Sequence, residues 1–82
     1  MSMDDAIRRV LSDHGRLAVD AASLELEDDL YQKGLSSHAS VNVMLGLEDA
    51  FDVEFPDELL TRSTFQSVAA IRRALEGLGA SS

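Results

Sequence analysis

Residues 34–57 of this 82-residue chain, GLSSHASVNVMLGLEDAFDVEFPD, decide the fold. Ser36 is a good helix N-cap because its hydroxyl can accept a hydrogen bond from a free N–H group of the first turn. The apolar residues that follow recur at helical spacing, and Pro56 suits a position before a helix or in its first turn. The stretch therefore predicts a helix from about Ser37 to Phe51.

The predicted helix carries two apolar stripes. The first, Val43-Leu47-Phe51, is assigned to the core together with Phe55. The second stripe, formed by Val41 and Leu45, has two interpretations: it is buried core, or it is a partly exposed strip that the apolar residues of a basic partner helix would cover. In the second case Arg or Lys side chains of the partner would contact the neighbouring acidic residues, which are Glu48, Asp49 and Asp52.

Helices are also predicted on both sides of this segment. A first helix is indicated by apolar residues at helical spacing, followed by Gly15 as a stop: Met3, Ile7, Val10 and Leu11. Pro56 favours a short helix over about residues 57–60. The residues Ser63-Thr64-Phe65-Gln66 resemble a capping box that opens a last helix, which ends near Gly77 or Gly79.

Residues 16–35 show no helical periodicity and predict a long loop, which in a small domain is often functional. The elements together predict an all-α bundle of three main helices plus one short helix, with this loop between the first and second helices. The length suits one domain, 1–82, with order over about residues 3–78 and a flexible tail at 79–82.

The composition restricts the function. There is no cysteine, which rules out a disulfide scaffold or a thiolate metal site and favours a reducing cytoplasm. The N-terminus begins with acidic residues and is not expected to be a secretory signal, and no apolar run is long enough for membrane insertion. The net charge is −8, and residues 20–58 hold eleven acidic side chains against one lysine. Such a field repels nucleic acid and anionic lipid, and it either attracts a basic protein surface or only keeps the protein soluble.

The segment from Asp29 to Asp57 resembles the acyl carrier protein family. That family has a glycine, then Asp-Ser-Leu opening an acidic amphipathic helix, which ends before an apolar-Pro-Asp turn. Aligned without gaps over residues 34–57, the family's modified serine falls on Ser37. The long first loop and the short third helix match as well. Two positions depart from the pattern, because Ser36 stands where the family has aspartate and His38 stands where it has leucine.

The resemblance implies a carrier protein with no catalytic activity of its own. A phosphopantetheinyl transferase would attach 4'-phosphopantetheine from coenzyme A to Ser37, with Ser36 and His38 beside it. The thiol of this arm would hold an acyl or aminoacyl group as a thioester. Expected partners are a loading ligase and downstream transferases with basic surfaces, and the carrier is expected to be a monomer. The family also favours Val41 and Leu45 as an exposed docking strip.

Two strings are similar to one branch of that family, Gly-Leu-Ser-Ser-x-Ala-Ser-Val at residues 34–41 and Glu-Asp-Ala-Phe-Asp-Val-Glu-Phe-Pro-Asp at residues 48–57. This branch contains stand-alone carriers that are loaded by ligases related to class II aminoacyl-tRNA synthetases. This points to an aminoacyl cargo in a specialised pathway, while a fatty acyl cargo in lipid biosynthesis stays open. The departures at Ser36 and His38 argue against recognition by the general enzymes of fatty-acid synthesis.

The residues themselves support Ser37 as the attachment point. In the first helical turn, free N–H groups and the helix dipole favour a negative group by about 0.3–1 kcal/mol. An isolated serine would more often be a capping or surface residue, and Ser36 and Ser40 stay open as weaker alternatives for the site.

Other functions are also considered. An unmodified acidic module that docks a basic partner helix is the main alternative. A hydrolase using Ser37 and His38 is remote, because adjacent helix residues do not face each other and no acid is evident to orient the imidazole. His14 is assigned a structural or solvated role. No metal site is expected, because two distant histidines make a weak zinc site and residues 25–29 lack the calcium-loop pattern.

Overall fold

The computed structural model describes residues 2–80 and contains three α-helices, α1 (Met3–His14), α2 (Ser37–Phe51) and α3 (Val68–Gly77). Three single turns of 3-10 helix lie between them, at Ala21–Ser23, Asp57–Leu59 and Arg62–Phe65. No strand occurs among these residues. The predicted all-α bundle is confirmed, with the predicted short helix present as the 3-10 turn Asp57–Leu59. The fold is a bundle of three α-helices, because no fourth α-helix forms within the described range.

The capping signals explain where two of the helices begin. Ser2 Oγ accepts a hydrogen bond from the Asp5 N–H at 3.1 Å, and two acidic residues occupy the first turn of α1, where the helix dipole favours them. Ser36 Oγ accepts from the Ala39 N–H at 3.0 Å, as predicted for the start of α2. At its other end α2 stops at Asp52, whose φ of 54° is left-handed.

The predicted start of the last helix is wrong. Residues 62–65 form a separate 3-10 turn, and α3 begins at Val68 with Ser67 as its N-cap, whose Oγ accepts from the Ala70 N–H at 3.0 Å. The hydroxyls of Ser63 and Thr64 each lie 3.1 Å from Thr61 Oγ1, so they bond within the turn and do not cap a longer helix.

The core lies where the three helices and the long loop meet. Its largest fully buried side chains come from all four of these parts: Ile7, Leu11, Leu30, Val43, Leu47, Val68, Ile71 and Leu75. Phe55 is buried against Phe65, with ring centroids 5.6 Å apart. Phe51, which was assigned to the core, is only half-buried and packs at its edge, because α2 is already ending there.

The long loop is fixed to the helices although it contains only one 3-10 turn. The Arg8 guanidinium donates twice to the Leu24 carbonyl, at 3.1 and 3.2 Å. The Ala69 N–H donates to the Leu26 carbonyl at 2.9 Å, and the Leu30 N–H donates to the Gln66 carbonyl at 2.7 Å. The loop therefore presents an ordered surface beside the start of α2.

Gly46, in the middle of α2, marks the closest approach of α1. A Cβ atom at this position would lie 2.9 Å from Val10 Cγ1 and 2.7 Å from His14 Cδ2. The helix therefore accepts a residue that costs about 1 kcal/mol relative to alanine in exchange for tight packing.

The end of the chain folds back onto α3. The Ala80 N–H donates to the Leu75 carbonyl at 3.0 Å, and Gly79 has a φ of 88° that allows the reversal. The flexible tail predicted at residues 79–82 stays a prediction, and Ser81 and Ser82 lie outside the described residues. Over residues 2–80, no helix combines the length and the apolar character that crossing a membrane requires.

Candidate functional site

Ser37 is exposed in the first turn of α2, and its hydroxyl is free for chemistry. Ser36 Oγ is used as the helix cap, and Ser40 Oγ donates to the Ser37 carbonyl at 2.7 Å. Within residues 2–80, no protein group hydrogen-bonds to Ser37 Oγ. Of the three serines that the sequence left open, Ser37 is therefore the one whose oxygen an enzyme could reach without breaking a hydrogen bond of the fold.

The position of Ser37 also suits a negative substituent. Ser36 satisfies the Ala39 N–H, and the Ser36 carbonyl accepts from the Ser40 N–H at 2.9 Å, so α2 is well formed from its first turn. The first residues of a helix direct their remaining N–H groups and the positive end of the dipole outward. A phosphodiester on Ser37 would lie in that field.

A cleft of about 320 Å³ opens beside Ser37. One wall belongs to α2 and includes Ser37, Ser40 and Met44. The opposite wall is the connecting segment over residues 60–65, which follows the second 3-10 turn and includes the third, and Tyr31 of the long loop also lines the cleft. The loop, α2 and this connecting segment thus converge at the serine.

Tyr31 and Arg62 meet in this cleft. The Arg62 guanidinium carbon lies 4.0 Å from the centroid of the Tyr31 ring, which is a cation–π contact. Burial raises the pKa of the Tyr31 phenol above its ordinary value of 10.0, while the Arg62 charge and the neighbouring Ser40 hydroxyl partly oppose that rise. The pair joins two segments that are 31 residues apart, and sequence reasoning missed it. The one available signal was that Arg62 is the only arginine or lysine between Lys33 and Arg72.

His38 lies next to Ser37 and is exposed. Among the described residues it has no hydrogen-bonded carboxylate, and neither His38 nor Ser37 takes part in a side-chain hydrogen bond that links the two. The arrangement that a serine hydrolase needs is therefore lacking in this part of the chain. Residues 2–80 likewise contain no group of three or more His, Cys, Asp or Glu side chains placed to hold a metal ion.

The second stripe of α2 is exposed. Val41 and Leu45 each retain 53% of their surface, and Leu60, across the cleft from Val41, retains 46%. Leu60 was not singled out from the sequence. Buried-core packing therefore does not account for Val41 and Leu45, and their role as a docking strip stays a prediction.

The three acidic residues beside the docking strip differ in their surroundings. Asp49 and Asp52 are exposed. Glu48 is half-buried, and its Oε2 accepts a hydrogen bond from the Phe55 N–H at 2.8 Å. Glu48 therefore holds the turn that follows α2, and its role as a partner contact stays a prediction.

Residues 5–75 match the family described as "Phosphopantetheine attachment site". Because the match spans most of the chain, the protein belongs to the acyl carrier protein family, whose members bind phosphopantetheine. An aminoacyl carrier protein of Agrobacterium fabrum is 51% identical over 69 residues, which are 84% of this chain and 83% of that protein. Within the family, the chain falls in the stand-alone aminoacyl branch.

Solved structures agree with this placement. A carrier protein from Agrobacterium tumefaciens, in a crystal structure with an engineered Bradyrhizobium japonicum glycine:[carrier protein] ligase and AMP, is 46% identical with a TM-score of 0.86; the match covers 89% of this chain and 97% of that one. A holo acyl carrier protein from Nitrosomonas europaea is 28% identical with a TM-score of 0.81, covering 94% and 95%.

The residues around Ser37 fit a phosphopantetheine group. The Ser37 hydroxyl is exposed and makes no hydrogen bond in the described structure. The cleft that starts at Ser37 offers space for an extended chain. The cleft walls supply one guanidinium, that of Arg62, whose N–H groups are donors suited to phosphate oxygens.

Proposed function

We propose that this protein carries an aminoacyl group on a 4'-phosphopantetheine arm attached to Ser37. The observation that supports this most directly is the free, exposed hydroxyl of Ser37 at the mouth of the cleft. When bound, the arm supplies a thiol that holds a carboxylic acid as a thioester, so the chain needs no cysteine of its own. Ser37 Oγ would form the new bond to the phosphorus next to pantetheine as the diphosphate bond of coenzyme A breaks. Adenosine 3',5'-bisphosphate would be the leaving group, and a base of the transferase would take the hydroxyl proton.

The interior of the bundle favours a small cargo over a long fatty chain. Residues from α1, α2, α3 and the long loop form its core, and eight large side chains have no measurable exposure. The cleft at Ser37 is partly polar, since Ser40, Thr61 and Arg62 line it. An aminoacyl group gains little from an apolar tunnel, whereas a fatty chain outside the core would remain in water. The relationship to aminoacyl carriers and to a carrier seen with a glycine ligase points the same way.

The acidic face of the chain would bring loading enzymes to this site. A basic surface approaching Asp49 and Asp52 would be attracted over several ångströms, which speeds encounter without slowing release. Val41 and Leu45 would then be covered by apolar residues of the partner. The proposed partners are a phosphopantetheinyl transferase, an aminoacyl ligase and later transferases.

The remaining features of this proposal follow from the carrier role. The chain itself performs no catalysis, because no residue near Ser37 is placed to activate it in the described structure. We further propose a monomer that works in the cytoplasm in a specialised pathway. Ser36 and His38, which replace the family's aspartate and leucine, would direct the choice of partner.

Incubation with coenzyme A and a promiscuous phosphopantetheinyl transferase tests the proposal. The intact mass should rise by one phosphopantetheine, and Ser37→Ala should abolish the increase. Ser40→Ala is the matched control and should be modified normally. An increase that persists in Ser37→Ala would move the site to another serine, and no increase with any transferase would overturn the carrier function.

The exposed docking strip also supports the alternative of an unmodified module that binds a basic partner helix. The activity of two variants in cells of the source organism distinguishes the two functions. The module would retain full activity with Ser37→Ala and lose it with Leu45→Ser, whereas the carrier would lose activity with Ser37→Ala.

A further inference from the structure

Arg62 is the cationic side chain of the cleft at Ser37. Among residues 2–80, no other arginine, lysine or histidine lines this cleft. It belongs to the 3-10 turn Arg62–Phe65, across the cleft from α2, and it is exposed. Its guanidinium is held over the Tyr31 ring at 4.0 Å, so its location is fixed by a packing contact and not by a carboxylate.

The hydrogen-bond donors of Arg62 are unused within residues 2–80. Other arginines of the chain are engaged, since Arg8 donates to the Leu24 carbonyl and Arg72 pairs with Asp4 at 3.2 Å. Arg62 forms neither an ion pair nor a hydrogen bond in the described structure. A guanidinium stacked on an aromatic ring keeps the N–H groups at its edge available for another acceptor.

We propose that Arg62 binds the phosphodiester of the arm on Ser37, and that Tyr31 positions Arg62 for this contact. The inference rests on the proposed function, because the phosphodiester exists only in the modified protein. The phosphate is bonded to Ser37 Oγ and is therefore confined to the mouth of the cleft that Arg62 lines. A planar guanidinium can donate two parallel hydrogen bonds to two phosphate oxygens.

The acidic residues around Ser37 make Arg62 the favourable contact for the phosphodiester. The segment over residues 20–58, which includes Ser37, holds eleven acidic side chains and Lys33 as its one cation. A phosphodiester on Ser37 would be repelled by this field if no cation faced it. Arg62 thus anchors the base of the arm at the serine while leaving its thiol end free to reach partner enzymes.

Phosphorus NMR on the holo protein tests the contact directly. The 31P resonance of the arm should move in Arg62→Gln toward its position in the urea-unfolded holo protein, and its line should narrow. Arg73→Gln is the matched control, because Arg73 is exposed on α3 and does not line the cleft, and it should leave the resonance in place. Arg62→Lys should give an intermediate shift, since the charge remains and the planar pair of donors is lost.

Tyr31 is tested with the same readout. Tyr31→Phe retains the ring and should leave the 31P resonance near its wild-type position, whereas Tyr31→Leu should move it in the same direction as Arg62→Gln. In the wild-type protein, the 15Nε resonance of Arg62 should shift between the apo and holo forms. This last comparison needs no variant and stays valid if a substitution prevents folding.

The outcomes separate this inference from the proposed function. If the protein takes up no arm, both fall together. If the mass increase appears on Ser37 but the 31P resonance is the same in wild type, Arg62→Gln and Arg73→Gln, and the Arg62 15Nε resonance does not move, only the role of Arg62 is overturned.

Discussion

The two faces of α2 contain the same residue types in opposite surroundings. Val43 and Leu47 have no measurable exposure, whereas Val41 and Leu45, two positions earlier in each case, retain 53%. The α1 helix packs against α2 and leaves the side of the second pair exposed, so that pair contributes little to folding. The comparison shows that one face of the helix builds the core, whereas the other face is exposed and is available for the partner contact proposed above.

The largest effect is expected on the free energy of unfolding when matched residues on the two faces are replaced by alanine. Leu47→Ala should lower the free energy of unfolding by about 2–5 kcal/mol, because it leaves a cavity in the core. Leu45→Ala, the matched change on the exposed face, should lower it by less than about 1 kcal/mol. Urea unfolding followed by circular dichroism measures both. Equal losses would mean that the two faces are not divided as described.

The next largest effect should distinguish the two neighbouring acidic residues Glu48 and Asp49 by their contribution to stability. Glu48→Ala should cost about 1–3 kcal/mol, because the half-buried Phe55 N–H loses the carboxylate that accepts its hydrogen bond at 2.8 Å. Asp49→Ala removes an equal charge from an exposed position and should change stability by no more than about 0.5 kcal/mol. The same unfolding experiment distinguishes them, and a neutral Glu48→Ala would place this residue among the free surface acids.

Loading by the cognate ligase should depend on the exposed residues, Leu45 and Asp49, whose substitution changes stability little. Leu45→Ser should raise the KM for the holo carrier by about tenfold, since about 1.4 kcal/mol of apolar contact with the partner is lost. Asp49→Asn should raise it by a smaller factor that disappears at high salt. Steady-state aminoacylation at two salt concentrations measures both effects. A Leu45→Ser carrier loaded as efficiently as wild type would leave the exposed stripe without this role.

The smallest expected effect concerns Tyr31, the only tyrosine in the chain. Because burial raises its pKa in the folded state, the neutral phenol contributes stability that is complete below about pH 10 and is lost as pH rises through the folded pKa. Absorbance of tyrosinate against pH should therefore give a midpoint above that of the urea-unfolded protein. Arg62→Gln should raise the midpoint further, because the arginine charge favours the phenolate. A midpoint equal to that of the unfolded chain would contradict the burial of Tyr31 in the cleft.

Local signals in the sequence were sufficient for much of this fold. The N-cap at Ser36 and the helical spacing of apolar residues predicted α2 from Ser37 to Phe51, and the structure has the same bounds. The start of α3 was missed because Ser63 and Ser67 are both plausible caps, and the choice between them depends on hydrogen bonds around Thr61.

Features that depend on distant contacts were not predictable. The Tyr31–Arg62 pair joins the long loop to the turn before α3, and no periodicity in the sequence links those positions. The sequence alone predicts a surface position for Glu48. Its hydrogen bond with the Phe55 N–H forms only because the chain reverses at Asp52. Ser37 was identified by resemblance to a family, while the structure supplied the reason that its hydroxyl, and not that of Ser36 or Ser40, is free.

The central claim is tested most directly by the protein purified from its native cells. Intact mass followed by fragmentation should show one phosphopantetheine on Ser37, and a portion of the molecules should carry the further mass of an amino acid that hydroxylamine releases. A protein isolated with its unmodified mass, or with a fatty acyl increment on the arm, would contradict the account.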